Sequence, residues 1–335
     1  MKNFIILKSP KLLLTLALAL QCSFAFSQIT NWSSKGPGGG GALFSPSFSP
    51  HDPDELYIAC DMSELFHSSD FGLSWRTIDF DQMTGNNGAN VRFTNNPQIL
   101  YCINFENDLM TPHKSTDAGN SWNSLSSDPT DGGAYSLNAD PGSTVRLLTS
   151  DYTTLFFSSN GGSSFAQKYS NANGCYVAGT YFDSNNIFVC LDNGVLVSTN
   201  SGSTFSMSSL TGIPSTESIV SFAAANQDNV IRFFCVTLAS GDVYPGVTGA
   251  DHYGYRNVYS LDWGQSIWTQ RISGINSSHN PFFVSMSFEN VNIAYLAGGS
   301  DAGTPVVYRT SNGGASWTSV LLTTNNQNIF TGWSG

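Results

Sequence analysis

The sequence predicts an all-β fold, a β-propeller of four-stranded blades with six blades evident and a seventh incomplete. Three observations predict it. One short turn is written six times, each copy lies between apolar runs, and two further strand-like runs precede it. The copies are "SSDFGLSW" (68–75), "STDAGNSW" (115–122), "SSNGGSSF" (158–165), "STNSGSTF" (198–205), "SLDWGQSIW" (260–268, one residue longer) and "TSNGGASW" (310–317). All fit Ser/Thr-x-Asp/Asn-x-Gly-x-x-Trp/Phe. Self-similarity at a period of about 40 to 50 residues marks a repeat architecture.

Within each copy, the Asp or Asn side chain is expected to bond backbone two residues on and the Gly to take positive φ, so the box is a hairpin turn. The terminal Trp or Phe folds back as an apolar plug. Upstream lie paired strand candidates joined by a turn, as in "ALFSPSFSPHDPDELYIACD", "VRFTNNPQILYCINFE", "CYVAGTYFDSNNIFVCLD" and "FVSMSFENVNIAYLAGG". Four strands per unit of this length make a propeller blade. Asp70, Asp117, Asn160, Asn200, Asp262 and Asn312 therefore read as structural, and Trp75, Trp122, Phe165, Phe205, Trp268 and Trp317 as packing residues. Trp263, inside the fifth box, reads as outer-hairpin surface.

The N-terminal "TNWSSKGP" resembles the segment after a box, such as "SWNSLSSDP", so residues 29–35 read as the outermost strand of the incomplete blade. After the sixth box, Asn328–Trp333 supplies one more inner-strand candidate. The expectation is a chain truncated at its C-terminus, whose continuation closes the ring and adds a further domain.

Residues 1–27 carry Lys2, Lys8 and Lys11, an apolar run from Leu12 to Leu20, and Ala25-Phe26-Ser27 as a small-x-small cleavage site. This is the pattern of a secretory signal peptide, and its apolar core is too short to span a bilayer. The propeller is assigned to 28–335, secreted or at the cell surface, with no membrane insertion. Removing the leader takes three basic residues and no acids, which moves the formal charge from -11 to -14. Such a surface repels nucleic acid and anionic lipid. A neutral polysaccharide or oligosaccharide is the compatible partner. The five remaining cysteines, Cys60, Cys102, Cys175, Cys190 and Cys235, sit in or beside apolar runs with no CxxC pair, and read as buried thiols.

Searches for chemistry-bearing motifs are mostly negative. "GPGGGG" (36–41) satisfies G-x-G-x-x-G but lacks the preceding strand and following helix of a dinucleotide site. There is no P-loop, H-E-x-x-H or G-x-S-x-G. His51, His67, His113, His252 and His279 show no ligand spacing and read as surface or turn residues. No cofactor and no metal is implied. Acidic residues, in contrast, recur where the second strand of a blade runs out: Asp61, Glu106, Asp151, Asp192 and Asp301. In a propeller these positions are equivalent and line one face. Carboxylates gathered there would raise one another's pKa, as general acid or base work needs.

The repeated box resembles the Asp-box of sialidases, sortilin-type receptors and family 74 xyloglucanases, which implies a β-propeller in each case. The Arg-Ile-Pro expected early in a sialidase is missing; the nearest string is "RIS" at Arg271. The stretch "GGGGALFSPSFSPHDPDELYIACDMSELFHSSD" resembles the opening blade of family 74 xyloglucanases: a glycine run, a strand, a turn, and a tyrosine-bearing strand ending in Arg-Thr-Asp before Gly-Gly. In that family this aspartate is the catalytic base of an inverting hydrolysis, so the resemblance implies that role for Asp61. Here Ala59-Cys60 replaces Arg-Thr, and Met62-Ser63 replaces the segment after the aspartate. The family's partner acid comes from a second propeller, expected here in the continuation of the chain.

The longest gap between boxes holds "SGDVYPGVTGADHYGYRN" (240–257). Tyr244, Tyr253 and Tyr255 are candidate sugar-stacking surfaces there, with Asp251 and His252 as hydrogen-bonding groups. Asp151, Asp192 and Trp333 complete the candidate substrate contacts. The leading expectation is a secreted glycoside-hydrolase-like propeller acting on or binding xyloglucan or β-glucan. The alternative is a non-catalytic propeller binding glycan or protein at the cell surface. Fold alone does not separate them.

Overall fold

In the computed structural model, residues 35–38, 41–239, 255–301 and 304–321 are described. They form six four-stranded antiparallel sheets, each paired in chain order. Blade one holds β1 (Leu43–Phe48), β2 (Leu56–Cys60), β3 (Leu65–Ser68) and β4 (Arg76–Thr77). Blade two holds β5 (Arg92–Phe93), β6 (Leu100–Glu106), β7 (Leu109–Ser115) and β8 (Asn123–Ser124). Blade three holds β9 (Ser136–Ala139), β10 (Leu147–Ser150), β11 (Thr154–Ser158) and β12 (Ala166–Ser170). Blade four holds β13 (Val177–Asp183), β14 (Asn186–Leu191), β15 (Gly194–Ser198) and β16 (Ser206–Met207). Blade five holds β17 (Glu217–Gln227), β18 (Val230–Ala239), β19 (Tyr255–Asp262) and β20 (Thr269–Gln270). Blade six holds β21 (His279–Met286), β22 (Ala294–Ser300), β23 (Pro305–Thr310) and β24 (Thr318–Ser319). The described residues form a β-propeller of six blades, the six complete blades that the repeat predicts.

First strands of successive blades touch, β5 with β9 and β13 with β17 and β17 with β21, so they surround the axis. The second strands lie between neighbouring sheets. Their residues are therefore apolar on both faces rather than alternating, as in "LYCI" of β6 and "IFVCL" of β14, all buried. Five core clusters join blades one to six in succession, and none joins blade six to blade one among the described residues. Phe188 and Phe233 are fully buried between blades four and five. Each such ring contributes about 1.5–3 kcal/mol relative to exposure.

Every box is the turn between third and fourth strands, on the side of the blade away from the axis. Its glycine lies at positive φ in all six copies, from 73° at Gly72 to 103° at Gly264. The side-chain circuit spans four residues, not the two expected. In blade one, Ser68 Oγ donates to Asp70 Oδ1 at 2.9 Å and accepts from Gly72 N at 2.8 Å, while Ser74 N donates to Asp70 Oδ1 at 2.8 Å. Boxes two, three, four and six repeat it around Asp117, Asn160, Asn200 and Asn312. Asp and Asn serve alike because Oδ1 is the shared acceptor; the second side-chain atom accepts from Ser74 Oγ in one case and donates to Ser164 Oγ in the other.

Two side-chain expectations need correction. Trp263 is half-buried rather than free outer-hairpin surface: it packs edge-on against Phe188 of blade four, ring centroids 4.9 Å apart. The histidines expected at the surface or in turns are not all there either: His113 and His279 are half-buried in β7 and β21, and His67 is buried. It lies in β3, only 8% exposed, stacked on Tyr57 and within 3.2 Å of Glu55 Oε1. Trp122, Trp268 and Trp317 are buried, as packing roles require. All five described cysteines are buried, and none forms a disulfide. Of the supposed extra strand at 29–35, only Lys35 is described; it lies outside any strand, and its carbonyl accepts from Trp75 Nε1 at 2.6 Å. Asn328–Trp333 and the leader lie outside the described residues.

Candidate functional site on the second-turn face

Strand alternation sorts the turns onto two ends of the blades. The boxes and the turns from first to second strand share one end. The turns from second to third strand share the other, with the connectors leading to the next blade. Asp61, Asp151, Asp192 and Asp301 each come directly after the last residue of a second strand, and Glu106 is the last residue of one. They occupy one face.

Asp61 leaves β2 beside the start of β1. Its Oδ1 accepts from Ala42 N at 2.8 Å, and its own N–H donates to Ala42 O at 3.1 Å. The glycine run makes this approach possible. Gly41 has φ of 88°, and a Cβ there would lie 2.8 Å from Asp61 Oδ1 and 2.7 Å from Cys60 Sγ. Asp61 and Met62 are exposed, so this anchored carboxylate remains open to solvent.

Asp151 is committed locally. Its Oδ1 accepts from Thr153 N at 2.6 Å and Thr154 N at 2.7 Å, capping its own turn. Asp301 accepts from Asn280 Nδ2 at 2.7 Å. Asp192 differs from both: its Oδ1 is buried and has no partner among the described residues. Burial pushes its carboxyl above the usual range, partly offset by the N–H groups of Asp192 and Tyr176. The cause is desolvation, not the mutual repulsion of carboxylates expected from the sequence.

Two features of this face escaped the sequence reading. Glu217, the first residue of β17, accepts from Thr237 Oγ1 at 2.6 Å, Asn257 Nδ2 at 2.8 Å and Tyr259 Oη at 3.1 Å. Three donors satisfy this carboxylate and tie three strands of blade five together. An acid directly before the apolar run "SIVSF" is the available signal for it. The second feature is a tyrosine pair: Tyr152 lies parallel to Tyr135, centroids 5.0 Å apart at 7°. Tyr152 adjoins Asp151, but its partner lies in another part of the chain.

Of the long-loop candidates, Tyr244, Asp251, His252 and Tyr253 lie outside the described residues, as does Trp333. Tyr255 opens β19, paired with Leu238. No group of three or more His, Cys, Asp or Glu residues suited to a metal occurs among the described residues. A separate surface depression, lined by Phe157, Phe165, Lys168 and Gly202, lies at the box end of blades three and four, away from Asp61.

The fold is similar to that of the GH74 enzyme of Niastella koreensis, with TM-score 0.64 and 18% identity over 86% of this chain and 46% of that one. The GH74 xyloglucanase from Xanthomonas campestris gives TM-score 0.64 and 16% identity, with the same coverages of 86% and 46%. The chain thus spans about half the length of these enzymes. It is also similar to YCF48 bound to D1 peptide, with TM-score 0.56 and 14% identity over 87% of each chain. No protein-family model and no curated protein matches the chain. At these identities the likeness defines a propeller architecture shared with GH74 enzymes.

Proposed function

We propose that this is a secreted, glycoside-hydrolase-like propeller that engages a neutral polysaccharide of the xyloglucan or β-glucan type at the face carrying Asp61. The observation that carries the reading is Asp61 itself. It is an exposed carboxylate at the end of β2, held through one oxygen by Ala42 N–H, on a propeller similar to those of GH74 enzymes. In an inverting hydrolysis Asp61 takes a proton from the water that attacks the anomeric carbon. A second carboxylic acid, on the opposite side of the sugar, protonates the leaving oxygen. The pair must stand about 6.5–9.5 Å apart to admit the water. Asp192 lies in blade four while Asp61 lies in blade one, so the reading takes the acid from outside this propeller. A formal charge of -11 suits a neutral polymer better than an acidic one.

The test is reducing-end release from xyloglucan by the full-length protein and by Asp61→Ala. A general base contributes roughly 10²- to 10⁴-fold. A variant with near-parental activity removes Asp61 from the mechanism.

A second reading, a non-catalytic propeller binding glycan or protein at the cell surface, is favoured by one observation. The fold is similar to that of YCF48 bound to D1 peptide, with TM-score 0.56 over 87% of this chain. A folded parent that releases no reducing ends puts this reading first.

A further inference from the structure

We propose that the face of blade one turned away from blade two is a docking surface for residues 328–333 of this chain, laid along β1 as the first strand of a seventh sheet. This goes beyond the polysaccharide reading and does not depend on it.

Strand register defines the open face. Tyr57, Ala59 and Leu65 point into the core shared with blade two. Side chains alternate along a strand, so the cross-strand pairs Leu43 with Cys60, Phe48 with Leu56 and Ile58 with Phe66 lie on the opposite face. There Phe48 is 59% exposed and Leu43 36%, while Ile58 and Phe66 are half-buried. In blade two the counterparts of Leu56 and Ile58 are Leu100 and Cys102, and both are fully buried against blade one. Blade six is open on its far side in the same way. Phe283, paired with Ala297 and turned from the core that holds Val284 and Leu296, is 41% exposed.

Lys35 marks a sheet position beside that face. In box six, Trp317 Nε1 donates at 2.8 Å to the carbonyl of Arg271, the residue directly after β20 of the preceding blade. In box one, Trp75 Nε1 donates at 2.6 Å to Lys35 O. The box glycines repeat the match: a Cβ on Gly314 would lie 3.2 Å from Arg271 Cγ, and one on Gly72 would lie 3.0 Å from Lys35 Cβ. Lys35 therefore stands where the residue after a fourth strand stands, and blade one has a sheet position before it as blade six does. Spacing supplies the first strand of that sheet. β21 opens at His279, nine residues after β20 ends at Gln270, and nine residues after β24 ends at Ser319 comes Asn328. From there the chain reads "NIFTGW". Strand alternation puts Ile329 and Trp333 on one side and Phe330 on the other. A strand held between two sheets needs apolar groups on both sides, and the open faces of blades one and six are apolar surface that such a strand removes from water.

Hydrogen exchange of the full chain, followed by mass spectrometry, tests this. Amides of 43–60 and of 328–333 are expected to be protected in the parent. Ile329→Asp combined with Trp333→Asp should speed exchange over 43–60 by about tenfold or more, the scale of a charge set into an apolar contact. Residues 147–198, in blades three and four, should keep parental rates, which separates lost docking from a general loss of fold. Should the double variant fail to fold, Phe48→Asp makes the reciprocal test, and it should speed exchange over 328–333. Parental rates over 43–60 in the folded double variant, or over 328–333 in Phe48→Asp, overturn the proposal. Protection of 43–60 that grows with protein concentration, together with a dimer in sedimentation, assigns the face to a second copy and overturns it as well.

Discussion

Arg232 and Asp262 form a two-point ion pair, Nε to Oδ1 at 2.6 Å and Nη2 to Oδ2 at 2.9 Å, at the one box that departs from the shared circuit. The fifth box carries an extra residue, and its opening Ser260 Oγ is taken by Arg271 Nε at 2.8 Å. Asp262 is thereby released from the turn and faces Arg232 in the neighbouring strand, its register partner in β18. The guanidinium also reaches blade six, where Nη1 donates to Asn292 Oδ1 at 2.8 Å. One side chain thus replaces the turn circuit and links two blades.

Arg232→Met should therefore lower stability toward urea. With the Asp262 side chain 41% exposed, screening limits the pair to the lower end of its range, and about 1 kcal/mol is expected. The same substitution in an Asp262→Asn background should cost less, since the charge pair is already gone. Equal losses in both backgrounds would mean that Arg232 acts only through Asn292 and packing.

Much of this architecture was legible in the residues, because the box is a local device. Ser68, Asp70, Gly72 and Ser74 bond one another within seven positions, so their spacing carries the turn and the blade count with it. The recurring acids at second-strand ends were equally legible, since blade topology alone assigns them to one face. Contacts between blades were not. Trp263 packs against Phe188 from blade four, and Tyr152 meets Tyr135 only through the geometry of the sheet between them. The burial of Asp192 Oδ1 is a statement about everything around it. Nothing in "CLDNG" distinguishes it from the self-capping Asp151 in "SDYTT".

The thiols give an independent check on the core. Burial pushes Cys102 and Cys175 up to about 12, and Cys190 and Cys235 well above the ordinary thiol range. A thiolate is the reactive form, so these residues should react with Ellman's reagent at neutral pH only through opening of the fold. Unfolding under non-reducing conditions should then expose all five described thiols. Immediate reaction of Cys190 or Cys235 in the native protein would contradict the packing between blades four and five.

Acid should act on the boxes with a definite sign. The Ser74 hydroxyl, aided by the Ser74 backbone N–H, lowers Asp70 to about 2 from 3.8, and Ser121 lowers Asp117 in the same way. Both folded values lie below the unfolded one, so the unfolded chain binds protons first. Their contribution is complete above about pH 4 and is lost as pH falls toward 2. Asp192 runs the other way: its raised folded value means that its ionisation opposes folding as pH rises through the window above 3.8. Asn160, Asn200 and Asn312 make the same turn circuit without a charge. The double substitution Asp70→Asn, Asp117→Asn should accordingly leave the Tm near its parental value at pH 7 and flatten its fall between about pH 4 and 2.5. Asp192→Asn should raise the Tm at pH 7 and converge with the parent in acid. Thermal unfolding monitored by circular dichroism across this range measures both effects. An unchanged acid slope in the double variant would show that the box carboxylates do not carry the proton linkage, while a lower Tm for Asp192→Asn at pH 7 would show that the buried oxygen is served by a donor that the amide cannot replace.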